Sequence, residues 1–389
     1  MSLKVAFIDS NINIGYISSI MNYGQTIGGI IAIKDNKVIS SSSLLEDTLT
    51  HATLCTKIFL ENVSGYFELF FINILDDHTL KTDTNSFLTA LSWCLENKID
   101  LINLSIGTTS LVDVSHLSFK INELVENGTV IVSASSNNNK MTFPASFDNV
   151  IGVKALKSKL KQTGFIYVEK SIDRIEVNCY VKNEIIEYND KFYNIYCSNS
   201  YAAPFISAKI CDFLFNGCNS LEQIKDRLKT NSLPMDNKSI KKNYKKYFVQ
   251  KVNGPIIAVI GEVDNGLTSL LIQKFFLKFV ERNYYGICLS EHFKTDLSVG
   301  ILNIAESDPY HPYEKLKFYS HYSDASYIII HANKKFLCNN IKLKNIDVIL
   351  YDPALYDLKH KRGSKYIAFP EYKDFDVLFT KIYNDLSSI

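Results

Sequence analysis

The sequence lacks a surplus of either charge: 42 Lys and Arg stand against 41 Asp and Glu over 389 residues, for a formal net charge of +1. That balance disfavours nucleic acid as a partner, since binding through bulk positive charge needs an excess of Lys and Arg. No apolar run reaches the roughly 20 residues of a membrane-spanning helix, so no membrane partner is expected. The opening residues MSLKVAFIDS enter a strand-like pattern with none of the charged, apolar and small-residue order of a secretory signal. The expectation drawn from this is a cytoplasmic protein made directly in its mature form. Eight cysteines, at 55, 94, 179, 197, 211, 218, 288 and 338, include no CxxC pair, so no zinc site or redox motif is legible and no metal or cofactor is expected. In a reducing compartment they read as small buried hydrophobes. The two halves share no internal repeat.

What is present is an alternation of short apolar runs with helical patterns, in a chain long enough for two domains. Val5 to Ile8, Leu69 to Ile74, Leu101 to Leu104, Val130 to Ala134 and Val150 to Val153 read as strands buried on both faces. His51 to Val63, Thr84 to Asn97 and Ser115 to Asn127 read as helices, the last closed by Gly128. The pattern predicts an α/β fold with a mainly parallel sheet and helices on both faces. Lys157 to Cys197 reads as hairpins, followed by helices at Ser200 to Leu214 and Ser220 to Asn231. A polar stretch with six lysines then connects to a second, smaller α/β domain. Its strands are expected at Ile256 to Ile260, Gly286 to Leu289, Tyr327 to His331, Val348 to Tyr351 and Tyr366 to Phe369. Its helices are expected at Thr268 to Glu281 and Asp374 to Leu386. The boundaries this gives are 1–235, a basic linker at 236–254, and 255–389.

Four polar residues of the first domain belong together. Asp9 follows the first buried strand in FIDSNI, at the strand end where open α/β sheets carry function. His51 opens a helix in HATLCTKIF, Asn137 follows the strand VIVSA in SSNNN, and Ser200 begins a helix in SNSYAAPFISA. Together they supply the parts of acyl transfer. A serine hydroxyl is a weak nucleophile until a neutral imidazole takes its proton, and a carboxylate on the other ring nitrogen fixes the tautomer. An amide side chain with a backbone N–H can hold the oxyanion. Taken singly, an Asp after a strand is a turn, a His is packing and a Ser at a helix start is an N-cap. Only the ordered set carries the reading, and His78 and His116 lack such context.

The first domain resembles the subtilisin-like serine proteases over residues 3 to 230. FIDSNI is similar to the Asp-Ser/Thr-Gly segment of that family, with Asn11 for Gly. HATLCTKI is similar to its His-Gly-Thr helix, with Ala52 for Gly. INLSIG matches the Asn-x-Ser-x-Gly strand, VIVSASSN the strand before the oxyanion Asn with Ser136 for Gly, FPASFDNVIGVKA the segment after it, and SNSYAAP the Gly-Thr-Ser-Met-Ala-Ala-Pro nucleophile segment. The resemblance implies a Ser200–His51–Asp9 triad with Asn137 in the oxyanion hole, and a peptide bound as an added strand. It implies pocket walls from Leu104, Ser105, Ile106 and Gly107 and from Ala134, Ser135 and Ser136, with Thr142 near the floor. The replaced glycines imply a narrowed, selective cleft. No counterpart of the family's calcium loops is evident.

In the second domain, Gly261 to Thr268 follows a strand and opens a helix as a phosphate-cradling loop does, but Leu267 stands where Lys is needed and Glu262 and Asp264 would repel phosphate. Asp352 reads as a turn, and ATP hydrolysis is not expected. The stretch from Ala258 to Ser290 resembles, more loosely, proteins of clostridial peptide-natural-product maturation. This implies an endopeptidase removing the leader from a ribosomally made precursor, with the second domain contacting that precursor or a maturation partner protein. The alternatives are a catalytically impaired scaffold or binding protein, and a protease regulated by nucleotide binding to the second domain.

Overall fold

The computed structural model describes residues 2–40, 47–76, 79, 81–156, 163–234, 244–261, 266–305, 310–341, 343–352, 364–368 and 374–387. The chain divides into two compact units, Met1–Thr109 with His116–Asp236 and Ser110–Ser115 with Asn237–Ile389. Helices and strands are numbered in chain order.

The first unit is built on a nine-stranded sheet. Its strands are β1 (Leu3–Asp9), β2 (Gln25–Lys34), β3 (Lys37–Ser40), β4 (Phe67–Asn73), β5 (Leu101–Leu104), β6 (Val130–Ala134), β7 (Ile151–Ala155), β8 (Gly164–Tyr167) and β9 (Val177–Tyr180), in the order β3-β2-β4-β1-β5-β6-β7-β9-β8. Only the outer pairs β2/β3 and β8/β9 are antiparallel. The central strands are buried on both faces, as parallel strands covered by helices must be. In β1, Val5 and Phe7 enter the core shared with the helices α2 (His51–Leu60) and α5 (Asn199–Phe215), while Ala6 and Ile8 are buried on the opposite side. Phe7, Phe59 and Phe67 meet edge to face at 5.2–5.4 Å, which fixes α2 against β1 and β4. The remaining helices are α1 (Ile14–Ile20), α3 (Thr84–Glu96), α4 (Val114–Glu126) and α6 (Leu221–Thr230). Gly128, at φ +89°, ends α4 in the left-handed conformation expected of a glycine there. A separate hairpin, β10 (Glu184–Tyr188) and β11 (Lys191–Ile195), precedes α5.

The second unit holds a six-stranded sheet in which every paired strand is parallel. Its members are β12 (Ile256–Ile260), β13 (Gly286–Ser290), β14 (Ile301–Asn303), β15 (Tyr327–Ala332), β16 (Val348–Tyr351) and β17 (Lys365–Ala368), ordered β14-β13-β15-β12-β16-β17. One core lies between the sheet and the helices α7 (Gly266–Val280) and α10 (Phe375–Ser387), around Phe275, Phe279 and Phe379. The described residues of the unit also include the helices α8 (Pro312–Tyr322) and α9 (Lys334–Asn340). Glu262 and Asp264, the acidic pair of the glycine-flanked turn, lie outside the described residues, as do His78 and the lysines at 238, 241 and 242.

Candidate active site

The carboxyl ends of β1, β5 and β6 and the first turns of α2 and α5 gather the polar residues singled out above. Asp9 ends β1 and is 1% exposed. One of its oxygens accepts the Ser10 N–H at 2.6 Å, which holds the carboxylate toward α2. The start of α2 is locked to the β1 loop from several directions. Thr50 is its N-cap, accepting the Thr53 N–H and donating to the Asn11 carbonyl. The Thr53 hydroxyl in turn accepts the Asn13 N–H at 2.9 Å, and Ala52 N–H reaches Ser10 Oγ at 3.2 Å. These bonds aim His51 at Asp9: its Nδ1 lies 2.9 and 3.0 Å from the two carboxylate oxygens. A carboxylate only accepts, so Nδ1 carries the proton and Nε2 is left as the acceptor of the neutral ring. Burial disfavours the imidazolium, but the Asp9 charge and hydrogen bond outweigh it and raise the His51 pKa well above the ordinary value.

Ser200 is the second residue of α5, half-buried. The N-cap position belongs to Ser198, whose hydroxyl makes no capping bond and instead meets Ser200 Oγ at 3.2 Å. Ser200 Oγ is not hydrogen-bonded to His51 Nε2; the two residues are joined instead through Cys55 and Tyr201. Cys55, one turn after His51, places its Sγ 3.8 and 3.9 Å from the ring nitrogens, 3.5 Å from Ser105 Oγ and 3.6 Å from the Ser200 carbonyl. Tyr201 stacks on the His51 ring at 5.3 Å and 24°. The Ser200 carbonyl also accepts from Ser105 Oγ at 3.0 Å, in a chain running through Asn103 to Ser207 that braces the α5 backbone.

Asn137 is exposed, at the loop after β6, and its Oδ1 accepts the Asn199 backbone N–H at 3.1 Å. A backbone N–H is an unambiguous donor, so the amide is oriented with its carbonyl spent and its NH₂ available. Asn199 binds the other way as well, its side chain giving two N–H bonds to the carbonyls of Ser135 and Ser136 at 3.0 and 2.9 Å and accepting Ala155 N–H at 2.7 Å. This clamp, together with Cys55 and Tyr201, was missed from sequence. Cys55 was visible as the i+4 neighbour of His51 on a helix; the others depend on which elements pack together.

Thr142 stands between the two strips 104–107 and 134–136. Its Oγ1 accepts the Ser136 N–H at 2.8 Å, and its methyl group occupies the space where a side chain on Gly107 would go, 2.7 Å from that hypothetical carbon. Leu104, Ala134 and Ser135 are buried, and Ser105, Ile106 and Ser136 are partly exposed. The Ser136 hydroxyl accepts the Asn138 N–H at 3.1 Å, which turns it toward its own loop. Asn11, standing where the family has Gly, is not left-handed, and its Oδ1 accepts the next N–H. His116 is exposed on α4.

Among the described residues, one group of metal-ligand side chains lies within mutual reach: Asp9, His51 and Cys55, with ligand atoms within 4.8 Å of one another. Burial raises the Cys55 thiol pKa against the opposing influence of His51, which keeps the sulfur protonated and works against both metal binding and nucleophilic attack by it.

The chain is similar to several known proteins. The chain is 27% identical over 218 residues to the minor extracellular protease Epr of Bacillus subtilis, covering 53% of this chain but only 31% of Epr. It is 24% identical to subtilisin DY of Bacillus licheniformis, over 52% of this chain and 70% of that protein. Among solved structures, it is similar to the nisin leader peptidase NisP of Lactococcus lactis, with 14% identity, a TM-score of 0.45, and coverage of 61% of this chain and 84% of that one. The cytoplasmic expectation is overturned by these relatives, one of which is named for its extracellular location. It rested on how the sequence begins, and where a sequence begins does not fix a compartment. The second unit's all-parallel sheet is an addition to this protease-like region. The model of the Subtilase family matches residues 2–251, more than half of the sequence, and the chain belongs to that family.

Proposed function

We propose that the chain is a serine endopeptidase in which Ser200 is the nucleophile, His51 the general base and acid, Asp9 the orienting carboxylate and Asn137 the oxyanion donor. The observation that carries this reading is the His51–Asp9 pair, which leaves Nε2 as the only ring atom able to take a proton. On substrate binding Ser200 Oγ turns from Ser198 to Nε2, a tightening common in the step from free to bound enzyme. Oγ attacks the peptide carbonyl as its proton passes to Nε2, and the imidazolium is stabilised by Asp9. The oxyanion is held by the Asn137 NH₂ and by backbone N–H groups of the first turn of α5, which have no partner within the helix. Collapse of the tetrahedral species breaks the C–N bond, with His51 giving its proton to the leaving amine. Water then repeats the sequence on the acyl-enzyme and restores Ser200.

Within that activity we assign the chain to selective processing, the removal of a leader from a ribosomally made peptide. Ala52 and Ser136 add side chains where glycine is usual in the family, and the appended sheet gives a precursor a second surface to engage. Purified enzyme offered a panel of Cys-rich and Gly-rich precursor peptides beside denatured casein is expected to cut a precursor once, with Ser200→Ala inert. A ladder of casein fragments, with no precursor cut, would replace this with a digestive role.

A further inference from the structure

We propose that the outward face of the β10–β11 hairpin is the docking surface for the stretch of substrate that follows the cut bond, and that it selects apolar residues there. This rests on the endopeptidase reading and extends it to specificity.

The hairpin register pairs Ile185 with Asn194, Ile186 with Tyr193 and Glu187 with Phe192. Side chains alternate between faces along each strand, so one face carries Glu184, Ile186, Tyr188, Lys191, Tyr193 and Ile195. That face is bound down: Ile186 and Ile195 are buried, Glu184 pairs with Lys57 at 2.9 Å, and Tyr188 meets Tyr16 edge on at 5.4 Å. A hairpin with one packed face ordinarily turns polar residues to water on the other. Here the other face carries the polar residues Glu187 and Asn194 but also presents Ile185 at 70% and Phe192 at 68% exposure, and the same alternation continues to Tyr196 at 58%. Diagonal neighbours on one face of a strand pair lie about 7–8 Å apart, so Tyr196, Ile185 and Phe192 run as a diagonal apolar strip flanked by Asn194 and Glu187. Tyr196 lies four residues beyond Phe192 along extended chain, about 13 Å, enough for roughly four extended substrate residues.

One end of the strip is linked to His51 through a single intervening ring. The Tyr196 ring sits edge on to Tyr201 at 5.5 Å, and Tyr201 is stacked on His51. In acyl transfer His51 hands its proton to the leaving amine, so the peptide beyond the cut must pass beside that ring. The strip leads away from this point, which makes the leaving segment its occupant, and its side chains favour aliphatic or aromatic residues at the second to fourth positions after the cut.

The test uses the full chain and two kinds of substrate sharing the same residues before the cut. A peptide p-nitroanilide ends at the cut and cannot reach the hairpin; internally quenched peptides continue with either Leu and Phe or Ser and Asp at the second to fourth positions. Wild type should prefer the apolar extension by about tenfold or more in kcat/KM, within the range that one or two apolar contacts supply. In the Ile185→Asp, Phe192→Asp double variant, the ratio of kcat/KM on the apolar peptide to that on the p-nitroanilide should fall by a similar factor, through KM. Equal use of both extensions by wild type, or a variant that loses both activities in proportion, would overturn the proposal while leaving the endopeptidase reading standing. No turnover of any of these substrates by wild type would sink that reading, and this one with it.

Discussion

His51 and His331 both stand at the carboxyl end of a parallel sheet, yet their protonation moves in opposite directions. His331, in β15, is 1% exposed, and its Nδ1 lies 3.1 Å from Ser290 Oγ. That oxygen already accepts the backbone N–H groups of His292 and Phe293 at 3.1 and 2.9 Å. Its own O–H is therefore directed at Nδ1, and the ring proton sits on Nε2, which has no partner among the described residues. Burial, with His292 adding, pushes the His331 pKa down to about 4. His51 suffers the same desolvation, but a carboxylate faces it. The contrast teaches that burial alone fixes a histidine as neutral, and that a full charge on the far nitrogen is what readies one to take up a proton during a reaction.

The largest way to break the contrast is to remove what His51 serves. Ser200→Ala should lower kcat on a p-nitroanilide by about 10⁶, the size of loss that subtilisin itself shows when its serine is removed. Asp9→Asn makes the surroundings of His51 uncharged like those of His331. It should cost about 10⁴ in kcat and move the acidic limb of the pH–rate profile downward, because burial is then unopposed. In wild type that limb should lie above the ordinary imidazole value of about 6.5, since activity needs neutral His51 and fails as pH drops through its raised pKa. Asn137→Ala should lower kcat by about 10²–10³ with little change in KM.

The smallest effect is on stability. Because His51 has a raised pKa, its charged pair with Asp9 stabilises the fold below about pH 6.5 and that contribution is lost as pH rises through the folded-state value. His331 has a depressed pKa, so its unfolded form takes up a proton first and stability falls as pH drops from about 6.5 toward about 4. Urea titrations followed at the second unit should show a loss approaching about 1.4 kcal/mol per pH unit in that window, the slope for one proton. His331→Asn should abolish this component, whatever its effect at neutral pH.

The buried central strands were legible as unbroken apolar runs, and Leu101–Leu104, Val130–Ala134 and Ile256–Ile260 fall where those runs do. The β2–β3 hairpin was missed although its turn, Asp35 and Asn36 at φ 50° and 57°, has the residue types a two-residue turn demands. The helix α8 was missed too, although His311, Pro312 and Glu314 form a capping box with proline at the first position. At the site, residue types in their order singled out Asp9, His51, Asn137 and Ser200 as the candidates. The Asn199 clamp and the Tyr201 stack could not be read, because each is made between β6, α2 and α5, whose juxtaposition exists only once the sheet has formed.

The most direct test of the account is labelling of the intact chain by a fluorophosphonate, located by peptide mass spectrometry. The account predicts a single adduct on Ser200, lost in Ser200→Ala and strongly slowed in Asp9→Asn. A folded wild-type chain that takes no label, or carries it on a residue other than Ser200, would contradict it.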